Sequence, residues 1–320
     1  MIDRIKMYIK DFDFHDIEKF EPYRVGIDKY GAEIWEFKDK NLKFRYVGTT
    51  LSIAGSLHKF AHGHNYNTFT YAEMVNVLLY LEEKLRVPLN KFHITSVEVG
   101  VNLLLEESPV KYIETLCEYK GNKFFPLRPM SGSSAVKGSV CPMSEYPIVF
   151  YDKMIEFFKK NQVKKADRIK YPSNVLRYEV RLSRKQLRNF GLENTTADKL
   201  LTRGGRITCL WALSSIMEEI VFVDRSIDYT KIHRKYPKTL HNTVKEYTFV
   251  TSDGFPRYLD YLREKAGEIE CRKAKKNKAN LLKKLRPFLL GKYEKELKRK
   301  FAEEISKIND YKRAVRREKV

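Results

Sequence analysis

Cysteine is scarce in this chain. Cys117, Cys141, Cys209 and Cys271, four among 320 residues, lie far apart and form no C-x-x-C pair. That spacing argues against a zinc ribbon or a disulfide framework and suits a reducing compartment. No apolar run reaches the length needed to span a bilayer. The opening residues, MIDRIKMYIKDFDF, are charged and alternating, so they read as a first strand and not as a secretion signal. There is no internal repeat, and no RNP-type aromatic motif that would point to RNA. At this length the chain buries enough surface to fold without metal or disulfides.

Acidic charge is also short. Lys and Arg number 62 against 41 Asp and Glu, a net +21. Self-repulsion of that size points to a polyanionic partner, nucleic acid first and an anionic membrane second. No basic amphipathic stretch with exposed Trp or Phe supports the membrane. Residues 257–320 hold 22 Lys/Arg against 10 Asp/Glu, which accounts for twelve of the net positive charges. Any one basic run there also suits a solvated helix face, but their concentration favours contact with DNA or RNA. This tail is predicted to be helical, with a break at Pro287 and a frayed end, KRAVRREKV.

The rest predicts an α+β domain over residues 1–250, followed by a basic helical region over 251–320. IDRIKMYI, AEIWEFKD, LKFRYVGT and TLSIAGSL carry the β-branched and aromatic content of strands. YAEMVNVLLYLEEKL has helical spacing, with Thr70 placed as its cap. SPVKYIETLCEYK, opened by a cap and a proline, reads as a helix. The Gly/Ser-rich 129–140 reads as a loop or hairpin rim. After the strand VLRYEVRLS come helices, the first stopped by Gly191. The expected architecture is a central, mainly antiparallel sheet with helices on one face and a groove on the other.

Candidate chemistry lies on the polar faces of these strands. In ITSVEVGVN, Glu98 shares its face with Ser96, Gly100 and Asn102. In VLRYEVRLS, Glu179 lies between Arg177 and Arg181, so a structural ion pair competes there with a functional role. A carboxylate on a sheet must be exposed, paired or bound to a metal, because burying a bare charge is costly. In HKFAHGHNYNTF, His62 and His64 would face one way on an extended backbone. Imidazole together with carboxylates suits Mn²⁺ or Mg²⁺. IVFYDKMIEF starts as a strand and ends as a helix capped by Asp152, with Tyr151 and Lys153 on one strand face. A phenol, of pKa about 10, attacks a phosphodiester only if its charge is stabilised. Lys153 would do part of that, and a metal on the phosphate would act from the other side. Of the 20 tyrosines most must serve core or surface, so these residues alone leave the nucleophile open.

The order of the pieces narrows the choice. MIDRIKMYI, the G-H-N of Gly63 to Asn65, ITSVEVGVN, PIVFYDKMIEF and VLRYEVRLSRKQLRNFGL together resemble the replication initiators of filamentous phages, the gene-two protein family. The same order resembles the rolling-circle initiators of small Gram-positive plasmids. Both relate to the wider group of HUH nucleases. The most specific parts are Tyr151, Asp152, Lys153 and Glu156, and the run Arg177 to Arg181. Two positions depart from the pattern: Gly63 stands where the wider group has a large apolar residue, and Glu98 replaces the commoner aspartate.

The resemblance implies a metal-dependent enzyme that nicks and rejoins one origin strand. Tyr151 matches the nucleophile, which leaves a 5′-phosphotyrosine link and a free 3′-hydroxyl, and Lys153 matches its basic partner. Glu98, Glu179 and His64 match ligands for Mg²⁺ or Mn²⁺. Arg177 and Arg181 are placed by chemistry as DNA-phosphate or carboxylate partners. Origin DNA, single-stranded or hairpin, is the implied substrate. Host helicase and DNA polymerase are the implied partners, in a bacterial cytoplasm, and a homodimer is one assembly this allows. Two other readings use the same basic surface: a non-catalytic DNA-binding protein such as a repressor, and a relaxase-like mobilisation protein with the same chemistry.

Overall fold

The computed structural model describes residues 2–127, 137–143, 146–189, 195–223, 242, 245–246, 249–250, 254–285 and 291–309. Most of the expected Gly/Ser-rich loop, the Gly191 stop, the Pro287 break and the 312–320 end lie outside the described residues. Alternating side chains build the strands: β1 (Ile2–Ile9), β2 (Tyr23–Ile27), β3 (Glu33–Asp39), β4 (Leu42–Val47), β5 (Thr50–Ser56), β6 (His93–Leu104), β7 (Leu116–Tyr119), β8 (Asn122–Lys123), β9 (Phe125–Pro126), β10 (Gly138–Pro142), β11 (Pro147–Asp152), β12 (Val175–Ser183) and β13 (Val221–Phe222). Ten of them form one sheet in the order β2-β3-β4-β5-β1-β6-β12-β11-β10-β9, antiparallel throughout. β13, β7 and β8 make a small second sheet.

The helices are α1 (His15–Glu18), α2 (Leu57–His62), α3 (Tyr71–Leu85), α4 (Pro109–Ile113), α5 (Lys153–Lys160), α6 (Arg184–Asn189), α7 (Ala197–Leu200), α8 (Arg203–Glu219), α9 (Gly254–Lys265), α10 (Gly267–Leu285) and α11 (Lys292–Asn309). The expected α+β architecture, with a helical C-terminal region, is therefore what the chain adopts. Thr70 caps α3 in a full capping box with Glu73. Among the described residues, no helix is long and apolar enough to cross a membrane.

The strand periodicity decides which face carries the apolar core. Leu176, Tyr178, Val180 and Leu182 of β12 are all shielded from solvent, as are Val97, Val99, Val101 and Leu103 of β6. Tyr178 stacks on Phe150 of β11 with ring centroids 4.6 Å apart, and its hydroxyl donates to the Leu213 carbonyl of α8 at 3.0 Å. Fully burying each such side chain contributes about 1.5–3 kcal/mol. α11 joins the same core through Leu297, Phe301 and Ile308. On its polar side Thr68 Oγ1 donates to Glu304 at 2.6 Å, and Arg299 pairs with Glu106 at 3.0 Å.

Two local expectations need correction. The helix foreseen over SPVKYIETLCEYK stops at Ile113, and Leu116–Tyr119 is a strand. Thr115 Oγ1 donates to the Tyr112 carbonyl at 2.7 Å, and left-handed Lys120 and Gly121 turn the chain back into a hairpin. Also, His62 and His64 do not lie on an extended backbone. Ser56 Oγ accepts from the Lys59 N–H and starts a helix that ends in His62, with Gly63 closing it at φ 77°.

Candidate active site

Four central strands bring their polar residues to one face. Tyr151 of β11 pairs across to Arg177 of β12, and Arg177 to Asn102 of β6. In the next row on that face, Val149 lies opposite Glu179 and Glu179 opposite Gly100. Beyond it Arg181 faces Glu98, which faces Arg4 of β1. Residues opposite one another in such rows have their Cβ atoms about 5 Å apart, close enough for charged pairs to interact.

Arg177 is the centre of the arrangement and is only 1% exposed. Its Nη2 donates to Asp3 at 2.9 Å, its Nε to Glu179 at 3.3 Å and its Nη1 to Asn102 at 3.4 Å. Of the two roles expected for it, carboxylate partner and DNA contact, this buried position supplies the first. Gly100 makes the room: a Cβ there would stand 2.8 Å from both Arg177 Nη2 and the Tyr178 carbonyl. Asp3 sits where β1 shifts register against β6. It also accepts from Asn65 Nδ2 at 2.8 Å and from Ser56 Oγ. Burial works to raise the Asp3 carboxyl, but Arg177 and these hydrogen bonds outweigh it and hold the group well below the usual carboxylate range.

Tyr151 is half-buried and donates its hydroxyl proton to Glu179 Oε2 at 3.4 Å. Burial and the Glu179 charge raise the phenol well above its ordinary value, against the pull of Arg177. Lys153 is not on the strand face expected for it. Asp152 caps α5 by accepting from the Met154 and Ile155 N–H groups, so Lys153 is the first helical residue. It is buried, pairs with Glu156 at 2.8 Å, and places Nζ 5.5 Å from the centre of the Tyr151 ring. Burial lowers its pKa despite Glu156. Arg181, about half exposed, bridges two carboxylates, with Nε 2.9 Å from Glu98 and Nη2 3.0 Å from Glu179. Burial and the nearby Glu179 charge push the Glu98 carboxyl up to about 7.

A comparison of the sequence with protein families matches residues 32–199, just over half of the chain, to the family described as the N-terminal part of the phage replication-associated gene-2 protein. The chain belongs to that family. No curated protein matches it. As a replication initiator of the filamentous-phage gene-two type, the protein has a role in phage DNA replication, and the family implies binding of origin DNA. The matched span takes in Glu98, Tyr151, Glu179 and His64; Asp3 lies before it.

The initiator brings Glu98 and Glu179 together, but among its described residues no three His, Cys, Asp or Glu side chains are grouped to hold a metal ion. His64 stands apart from the carboxylate pair. Its ring stacks on Tyr66 at 4.0 Å, and its Nδ1 is buried without a hydrogen-bond partner. His62 is placed against Glu73 at 3.0 Å, at the start of α3. The pair Glu98 and Glu179 still fits a hard divalent ion in donor type. Burial and then the Glu179 charge raise the Glu98 carboxyl, and the cation bridging the two is the half-exposed Arg181. Tyr146, the next tyrosine upstream, meets the Tyr119 hydroxyl at 3.2 Å.

Asp3 and His58 were not singled out by the sequence. His58 lies in α2, stacked on Phe69 at 4.8 Å, with Nε2 2.6 Å from Asn67 Oδ1. Burial pushes it down to about 3, against the attraction of Asp3. Its ordinary value is 6.5, so between pH 6.5 and 3 the unfolded chain takes up a proton that the folded protein refuses, and stability falls as the pH drops. By pH 5 this linkage costs about 2 kcal/mol. Denaturant titrations of a His58→Gln variant should show a shallower loss of stability between pH 7 and 5 than wild type. Equal slopes would mean that His58 already titrates normally.

Proposed function

We propose that the initiator nicks and rejoins one strand of its origin through Tyr151. The observation that carries this is the hydrogen bond from the Tyr151 hydroxyl to Glu179, on a sheet face where the half-exposed Arg181 can receive a phosphodiester. The phenol oxygen attacks phosphorus as its proton passes to Glu179 Oε2, and the bond from phosphorus to the 3′-oxygen breaks. That oxygen takes a proton and leaves as the free 3′-hydroxyl, and the 5′-phosphate stays on Tyr151. Reversal by an incoming 3′-hydroxyl rejoins the strand without a new energy source. Arg177 holds Glu179 in place, and Lys153 stands by the ring. Arg181 can turn from the carboxylates towards the phosphate.

A bound Mg²⁺ or Mn²⁺ would polarise the phosphodiester and offset the charge gathering on it. Glu98 and Glu179 would hold it, and His64 would add a third donor only on leaving its stack against Tyr66. In this reading the 3′-hydroxyl primes a host polymerase while a host helicase opens the duplex, in the bacterial cytoplasm.

The test is to incubate the wild type and Mn²⁺ with labelled single-stranded oligonucleotides from the origin. Denaturing gels should show a protein–DNA adduct that EDTA suppresses, and digestion should place the label on the Tyr151 peptide. Tight binding with no adduct on any origin fragment would return the initiator to a purely binding role. Glu179→Gln keeps the side-chain shape and removes the proton acceptor, so nicking should slow by about 10²–10⁴-fold. A Glu179→Gln protein that nicks at the wild-type rate would rule out Glu179 as the base.

A further inference from the structure

A cluster of aromatic rings beside the catalytic face has no role in the core. Tyr66 meets Phe157 edge-on at 4.8 Å and Tyr171 at 6.1 Å, and Tyr171 meets Phe157 at 5.2 Å and Phe158 at 5.7 Å. All four are half-buried, and none belongs to the hydrophobic core or to the side chains packed against it. His64 covers one face of Tyr66 at 4.0 Å, and the half-buried remainder of the cluster leaves apolar surface facing water, which calls for an occupant.

The surroundings define what that occupant is. The segment 159–170, between Phe158 and Tyr171, carries six Lys or Arg residues and one acid. Arg168 lies over the Phe158 ring at 5.0 Å, and Ile169 is 90% exposed. On the other side, Tyr66 forms one wall of a cleft of about 320 Å³ shared with Asn102, Pro172, Lys300, Lys307, Glu303 and Glu304, where the two acids balance the two lysines and the excess positive charge lies in 159–170. That is at the small end of the range for ligand pockets, about 300–1,000 Å³. Ring faces next to a dense row of cations suit unpaired nucleic acid, in which bases stack on the rings while phosphates track the charge. Duplex DNA hides its base faces and would use the cations alone.

The cluster is also close to the chemistry. α5 starts immediately after Tyr151 and Asp152, and Phe157 lies four residues after Lys153, about 6 Å along the helix axis. Asn102, in the cleft wall, accepts from Arg177. We propose that Tyr66, Phe157, Phe158 and Tyr171 form a stacking platform for unpaired bases of the DNA strand that is cut. The inference rests on the reading of Tyr151 as nucleophile for its place in the reaction, but not for its binding signal.

The experiment uses the full chain carrying Tyr151→Phe, so that nothing is cleaved, and fluorescence anisotropy with one sequence as single strand and as duplex. Adding Tyr66→Ala or Tyr171→Ala should weaken single-strand binding about tenfold, the loss of roughly one stacked base, and leave duplex binding unchanged. Tyr171→Trp should keep single-strand affinity. Equal losses on single strand and duplex, or no loss on either, would overturn the platform. A second measurement needs no aromatic substitution: photocrosslinking with 5-iododeoxyuridine oligonucleotides should label peptides within 64–71 and 157–171, and crosslinks confined to other peptides would overturn it too. Ring-dependent binding without a Tyr151 adduct in the unsubstituted protein would remove only the nicking step. An adduct with ring-independent binding would remove only the platform.

Discussion

Replacing Tyr151 with phenylalanine should abolish the covalent adduct, lowering the nicking rate by roughly 10⁴-fold or more, as loss of a nucleophile does elsewhere. The ring and its packing beside Lys153 are retained, and only the oxygen that meets Glu179 is removed. Folding and DNA affinity should therefore stay close to wild type, and a thermal melt and an anisotropy titration check both. The raised pKa of the phenol gives this prediction its shape. At neutral pH the resting hydroxyl is protonated, because burial and Glu179 both oppose a phenolate. Attack then depends on proton transfer during the step and on positive charge arriving with the substrate or a cation, so adduct yield should follow both Glu179 and the divalent ion. If Tyr151→Phe still forms an adduct at the wild-type rate, another tyrosine is the nucleophile.

The strand faces were legible in the sequence because period-two alternation fixes side-chain direction. Glu98 with Asn102, Tyr151 with Val149, and Arg177 with Glu179 and Arg181 all share faces as their spacing implies. What alternation does not give is register. Nothing in ITSVEVGVN or VLRYEVRLS says that Gly100 stands opposite Glu179 and so makes the space that Arg177 fills. Asp3 was missed because it sits in an irregular step of β1, where the charged run IDRIKMYI looks like any edge strand. A carboxylate at a strand start that ends up 3% exposed needs a buried cation, and Arg177, 174 residues away in sequence, is visible only in three dimensions. His62 and His64 misled for a local reason: Ser56 and Gly63 are good helix cap residues, and they convert a supposed extended pair into a helix end and a loop. Lys153 was displaced in the same way by the Asp152 cap. In the basic tail, charge drew attention away from Leu297, Phe301 and Ile308, whose helical spacing is what seats α11 on the sheet.

Arg177→Ala should be the most damaging substitution for stability. It would leave Asp3 and Glu179 buried, at 3% and 2% exposure, without the guanidinium that both of them share. Removing one member of a buried ion network typically costs about 3–5 kcal/mol, a large part of the roughly 5–15 kcal/mol that holds most domains folded. Arg177→Lys should recover little, since one ammonium cannot reproduce the planar fork that reaches Asp3, Asn102 and Glu179 together. The decisive comparison is between Arg177→Met and Arg177→Met combined with Asp3→Asn and Glu179→Gln. If the cost is the unpaired carboxylates, neutralising them should return much of the loss in a denaturant titration, although the protein would no longer nick. If the triple variant is less stable than Arg177→Met by the sum of the added single effects, the three side chains act independently. The network would then be packing around an arginine, not an electrostatic unit that positions Glu179 against Tyr151.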